Sequence, residues 1–305
     1  MSETSKETAM MMYLHAETPL HVGAGRALGT IDLPIQRERL TGYPMVQSSS
    51  IKGKLRAVTK DKLNDAVLWE AIFGPEKIDN PTDAYAGALS PGDAKLLLFP
   101  LRSLVGVFAW ATSLEILGRF VRDCSQLGNV AKPDWQLPQA TVVNKGSTWV
   151  IDDTLVVGGQ VVLEDFTFKP DKAQKEFVEK VGKWLQQSAL PQTTEYEYWR
   201  KVLPSRLVIL DNDAFRDFTM FATEVQTHIR IEQETKTVKE GALWTSESLP
   251  VDTLLYAPLT ATKTRTDKKT LNADAVLQEI KKLNLNRIQL GGNESTGQGV
   301  VRLRL

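Results

Sequence analysis

Short apolar blocks alternate with breaks marked by glycine, proline and polar residues, and the period within each block separates strands from helices. Tyr13, Leu14 and His15, bulky residues with apolar neighbours, predict a first strand over Met10–Glu17. The polar Ser2–Thr8 ahead of it reads as a frayed end, and Pro19–Gly29 after it as a glycine-rich loop. Ser48, Ser49 and Ser50 then offer caps for a helix whose apolar face takes in Leu55, Leu63, Val67, Leu68 and Ile72 before Gly74-Pro75 stops it. Leu96–Pro100 reads as a strand, Ser113–Arg122 as a helix, and the proline-dotted Gln126–Gly146 as a surface insertion. Leu155–Phe168 reads as strands broken at Gly158-Gly159. Phe177, Val181 and Leu185 recur at helical spacing in Lys172–Ala189, and Arg206–Leu210 is a core strand.

From Glu224 the pattern changes. Val225, Thr227, Ile229 and Ile231 alternate with polar residues, a Glu-Thr-Lys tip follows, and Val238–Trp244 returns, which predicts a β-hairpin. Asp274–Leu283 reads as a last helix and Arg287–Leu290 as the strand feeding a terminal glycine loop. Strands early, middle and late with helices between them predict an α+β fold whose first and last strands are neighbours in one sheet. On that arrangement the loops His21–Gly29 and Gly291–Gly299 line one face.

At 305 residues, 42% hydrophobic and 24% charged, the chain has the composition of an ordinary globular protein. Cys124 is its single cysteine, which excludes an internal disulfide and points to a reducing cytoplasm. Neither a secretory signal nor a run of some eighteen apolar residues is present, so no membrane association is expected. Formal net charge is zero. That does not exclude nucleic acid, because an electrostatic footprint depends on where charge is placed.

Three groups of residues suit phosphate chemistry. The terminal LGGNESTGQGVVRLRL has small and glycine residues whose backbone N–H groups can cradle an anion, but it lacks a P-loop's Gly-Lys-Ser/Thr ending. The spacing of Gly23, Gly25 and Gly29 is wrong for a dinucleotide fingerprint. Lys52, Lys54 and Arg56 lie at or just inside a helix start, where cations are mildly unfavourable unless an anion is bound. Asp32, among Ile31, Leu33 and Pro34 and near Arg26, Arg37 and Arg39, has two readings. It suits a divalent ion or a water beside a phosphodiester, or it is half of a structural pair with one of those arginines. His21 opens the first glycine loop and suits phosphate positioning or general acid work, His15 a packed strand position, and His228 a surface contact. Protease, esterase and zinc-hydrolase motifs are missing.

A glycine loop after strand one, a Ser-Ile-Lys-Gly-x-x-Arg helix start and a terminal Gly-Gly-x-x-Ser-x-Gly-x-Gly loop, in that order, resemble the RAMP superfamily of CRISPR RNA-binding proteins. The segments Leu28–Pro44, Ile72–Glu76, Ala86–Thr112 and Thr227–Pro250 are similar to the repeated backbone subunit of the type III-B (Cmr) effector complex. The resemblance covers nearly the whole chain and weakens across Ser125–Gly146 and Thr262–Asn272.

It implies a single domain with a ferredoxin/RRM-like palm (about 9–60, 150–220 and 250–305), a helical insertion (about 60–146) and a projecting thumb hairpin (about 224–247). It also implies a guide crRNA, a single-stranded target RNA, further copies of the chain in a helical backbone and other Cmr subunits as partners. By the same resemblance Asp32 cuts the target with Mg2+ or Mn2+, and Glu247 matches an acidic residue implicated after the thumb. His21 joins them as a candidate. The RNA-binding set becomes Gly23, Gly25, Arg26, Arg37, Ser49, Ser50, Lys52, Lys54, Arg56, Arg230, Thr237, Gly291, Gly292, Ser295, Gly297 and Gly299. The helix start reads Gln47-Ser48-Ser49-Ser50 where relatives often have Pro-Gly-Ser-Ser.

The leading expectation is therefore a guide-binding backbone subunit that is also a metal-dependent endoribonuclease. Two alternatives compete with it: a non-catalytic structural crRNA-binding subunit, and a stand-alone guide-processing nuclease built around a histidine.

Overall fold

The computed structural model describes residues 7–27, 29–128, 132–139 and 142–305. Among these described residues two sheets form, one of 13 strands and one of two. The first strand, Glu7–Ala16, lies inside the large sheet and is buried along almost its whole length. It pairs antiparallel with Leu254–Thr262 on one side, from Glu7↔Thr262 to His15↔Leu254. On the other side it pairs antiparallel with the final strand, Val300–Arg304, from Tyr13↔Arg304 to Ala16↔Val301. First and last strands are neighbours, as the pattern predicts. The sheet continues from Leu254–Thr262 through Ala94–Ser103, Val107–Ser113 and Leu207–Leu210, and then through the short strands between Ser147 and Asp171.

Strands buried on both faces need covering. The helix Ala273–Lys282 buries Val276, Leu277 and Ile280, and packs against the first strand and Leu254–Thr262. Tyr13, Phe120, Trp184 and Tyr256 meet in edge and tilted ring contacts with centroids 4.9–6.4 Å apart. These rings tie the sheet to the helices Leu114–Gln126 and Lys175–Ser188.

Several expectations need correction. Residues 1–6 lie outside the described set, but Glu7 and Thr8 already belong to the strand, where Thr8 is buried; the strand partner at Ala261 and Thr262 orders them. The single helix expected up to Gly74 is two, Ser48–Leu63 and Ala66–Phe73. Asn64 takes a left-handed φ of 46° between them, and the Asp65 side chain caps the second by accepting from the Leu68 N–H. The serines cap nothing: they form the first helical turn, behind a Gln47 whose side chain makes no capping bond.

Gln126–Gly146 is not simply surface, since Trp135 and Val143 are buried and Trp135 meets Phe177 and Trp184 edge-on; residues 129–131, 140 and 141 of that stretch lie outside the described set. The stretch 60–146 carries the strands Leu89–Pro91, Ala94–Ser103 and Val107–Ser113 besides its helices. Among the described residues no helix is long and apolar enough to cross a membrane.

Candidate functional site

Pairing of the first and last strands brings their glycine loops together. Gly292 donates its N–H to the His21 carbonyl at 2.8 Å, Gly299 to the Pro19 carbonyl at 2.8 Å, and Glu17 to the Val300 carbonyl at 2.8 Å. Two of the terminal glycines have a packing reason to be glycine. A Cβ at Gly291 would stand 2.2 Å from the His21 carbonyl oxygen, and one at Gly299 would stand 2.1 Å from that of Leu290, both at left-handed φ. Around Gly297 a Cβ would meet nothing within 4 Å, so that part of the loop is open to a ligand. Ser295 lies in the short turn Glu294–Thr296 between them.

The first glycine loop folds back on the segment after it. Ala24 donates to the Pro34 carbonyl at 2.9 Å, Gln36 to Val22 at 2.8 Å and Ala27 to Asp32 at 3.1 Å. This carries Gly23, Gly25, Arg26 and Asp32 outward together. Leu28 lies outside the described residues.

Asp32 is exposed, and its position is set by the hairpin Glu224–Ile231/Val238–Ser248. Thr245 donates to Asp32 Oδ2 from its backbone N–H at 2.8 Å and from its hydroxyl at 3.0 Å, while the hydroxyl accepts from the Asp32 N–H at 3.0 Å. The Thr245 backbone bond, then its hydroxyl bond, hold the Asp32 carboxyl below the usual carboxylate range, and the charge of Arg26 adds to them. The carboxylate is therefore ionised at neutral pH. The paired-arginine reading of Asp32 is not what the geometry holds, because its anchoring partner is Thr245.

Arg37 turns inward instead. It donates to the Gly42 carbonyl at 2.8 Å and the Thr219 carbonyl at 3.0 Å, and makes an ion pair with Glu247. Glu247 is buried, and its carboxylate also accepts from the Ile35 N–H at 3.0 Å and the Thr223 hydroxyl at 2.8 Å. His21, itself buried, bonds the Glu247 carbonyl through Nδ1. Glu247 thus joins the Asp32 segment, the hairpin and the first glycine loop at one point.

A model of the RAMP superfamily matches residues 13–302. The chain is 37% identical over 303 residues to the CRISPR system Cmr endoribonuclease Cmr4 of Pyrococcus furiosus, covering 97% of this chain and 95% of that protein. The chain belongs to the RAMP superfamily, in its Cmr4 family. A crystal structure of oligomeric Cmr4 from Pyrococcus furiosus matches this RAMP protein with a TM-score of 0.71 at 31% identity, over 98% of this chain and 97% of that one. A chain in the cryo-EM structure of the type III-B Cmr-beta complex bound to cognate target RNA matches with a TM-score of 0.71 at 22% identity, a likeness of fold.

The RAMP helix start divides its cations between two environments. Burial, and then the charges of Arg56 and Arg265, pull the Lys52 ammonium below its usual range, a setting that an anion would relieve. Lys54 approaches Gln289 at 3.4 Å, beside the terminal loop. Arg56 is committed elsewhere: it lies over the Trp69 ring at 4.6 Å and donates to the Pro75 carbonyl at 3.0 Å, joining the two helices. Ser49 is exposed and Ser50 half-buried in the first turn. On the hairpin, Arg230 and Thr237 are exposed, and the Thr237 hydroxyl shares a hydrogen bond with that of Thr235 at 2.7 Å.

Sequence reading missed Thr245, Thr223 and Gln298. Thr245 lies two residues before Glu247 on an alternating strand, a signal too common to single it out, and its partner is 213 positions away. Among the described residues no group of three or more His, Cys, Asp and Glu is placed to hold a metal ion. The exposed carboxylate at this point is Asp32, its Oδ2 held by Thr245.

Proposed function

We propose that this protein tracks the guide RNA as the repeated backbone subunit of a type III-B CRISPR effector complex and cuts the paired target RNA. Supporting the palm reading, Glu7–Ala16, Ser48–Leu63, Ala94–Ser103, Leu254–Thr262, Ala273–Lys282 and Val300–Arg304 follow one another as β-α-β-β-α-β. Their strands stand in the spatial order fourth, first, third, second, all antiparallel, an order that supports a ferredoxin-like palm. The hairpin, a separate two-stranded sheet, is then the thumb. The names of the similar proteins, a Cmr endoribonuclease among them, point the same way.

The observation that carries the cleavage reading is the Asp32–Thr245 clamp, an exposed and ionised carboxylate fixed at the root of the hairpin. One carboxylate suits Mg2+ or Mn2+, which commonly takes its other oxygens from water and substrate phosphate; bound there, the ion would neutralise charge on the scissile phosphate. Thr245 keeps the carboxylate aimed and unprotonated. Arg26 adds positive charge on the same loop, and Lys52 holds a backbone phosphate. His21 and Glu247 act as positioning residues, buried behind Asp32 and locking its loop to the hairpin.

Asp32→Asn in the complex assembled on guide RNA is the test. Target binding should stay within about twofold, while cleavage in magnesium falls by roughly 100-fold or more. Cleavage at the wild-type rate would leave the non-catalytic subunit as the correct reading.

A further inference from the structure

The hairpin presents two different faces at its root. Thr227 pairs with Thr245 and Val225 with Glu247, so one face carries the clamp on Asp32. Gln226 pairs with Ser246 and His228 with Trp244, so these four residues share the opposite face. On that second face the His228 and Trp244 rings lie nearly parallel, 16° apart in plane with centroids at 5.3 Å. His228 Nε2 is held at 2.7 Å from the Ser246 hydroxyl, which fixes the tilt of its ring. Both residues are half-buried. The terminal loop reaches the same face, where Gln298 donates to the Gln226 side chain at 2.9 Å.

We propose that the His228–Trp244 pair is a stacking platform for one nucleobase of the guide RNA, on the side of the hairpin opposite Asp32. This rests on the RNA-binding reading above and adds a site to it. A cross-strand aromatic pair can serve the hairpin alone, but three features favour a ligand. The rings are set parallel by a third residue. They remain part-exposed beyond the point where the hairpin's backbone pairs with Leu33 at Ser246. The neighbouring element is the terminal loop, open at Gly297 and tied to this face through Gln298, which leaves room beside the rings for one nucleotide. Bases of any identity stack on such a surface, as sequence-independent tracking requires. Trp244 is next to Thr245, so the platform holds the guide in register with the clamp one residue away.

The test uses the complex assembled on guides carrying 2-aminopurine at successive positions. With wild-type protein, fluorescence should be quenched at guide positions that recur with the spacing of the protein copies. Trp244→Leu keeps an apolar cross-strand contact but removes the π face. It should restore fluorescence at those positions and weaken retention of a short guide fragment by roughly tenfold, with cleavage of bound target still dependent on Asp32. Trp244→Phe, which retains a ring, should keep most of the quenching and so separates stacking from hairpin stability. Unchanged quenching in Trp244→Leu, or quenching only of probes placed in the target, would overturn the platform. If wild-type protein retains no guide at all, the RNA-binding reading itself has failed.

Discussion

Asp32 owes its properties first to a threonine, with the charge of Arg26 adding to it. Two donors from Thr245 stabilise its charged form, and only one of them is a side chain. Thr245→Val removes the hydroxyl bond and leaves the backbone bond, so the carboxyl should move back towards its ordinary range. A depressed pKa keeps the charged form down to acid pH, and activity is lost as pH falls through it. The acid limb of the pH–rate profile for cleavage should therefore lie at higher pH in Thr245→Val than in wild type; coincident profiles would detach Thr245 from the chemistry. Glu247 answers to a different measurement. Removing its carboxylate leaves the Arg37 guanidinium mostly buried with its ion-pair partner gone, so Glu247→Ala should cost about 3 kcal/mol of stability in denaturant titration. The loss of cleavage would then follow the loss of structure.

The hairpin and the terminal loop behave as two kinds of element. The hairpin has exposed apolar residues along its arms, Val225, Ile229, Ile231, Val238 and Leu243, more than half of each accessible to solvent. Burial among the described residues does not account for such a row, which suits contact with a partner. Replacing the tip, Glu234 to Lys239, with a short Gly-Ser turn should leave folding and guide assembly intact while the ladder of target cleavage products blurs or fades on a gel. A ladder of unaltered spacing and intensity would mean that the tip does not set the register. The terminal loop turns inward at its end, where Gln298 and Gly299 are buried. Gly299→Ala forces a side chain against the Leu290 carbonyl at a φ of 80°, and thermal melting should show a loss of at least about 1–2 kcal/mol. Gly297→Ala, at φ 81° in open space, should show the conformational part of that loss without the clash.

Across the molecule, a net charge of zero coexists with a local concentration of cations on one side of the helix start. Lys52→Ala should flatten the salt dependence of guide binding by about 0.7 on a log–log plot, one phosphate contact's worth for a single strand. Arg56→Ala should leave that slope nearly unchanged and instead destabilise the fold by about 1 kcal/mol, since its guanidinium lies on Trp69 and joins two helices. Equal slopes for both variants would place Arg56 on the RNA as well.

Much of this was legible in the linear pattern. The first strand, the helices at Lys175–Ser188 and Ala273–Lys282 and the hairpin follow from local periodicity, which needs no distant partner. Both glycine loops and Asp32 also stood out, because a chemistry-bearing residue among breakers is a local signal. Three things depended on the folded chain. The break at Asn64 escaped notice because the apolar positions on either side still fit one helical face until the turn between them is seen. The orientation of Arg37, inward to Glu247, and of Arg56, onto Trp69, could not be distinguished by sequence from that of a free phosphate ligand: a guanidinium looks the same in either role until its acceptors are placed. The clamp on Asp32 joins residues 213 positions apart, and only the pairing of sheet, loop and hairpin decides which donor reaches that carboxylate. Periodicity reports what a segment buries; it carries no record of what lies across the contact.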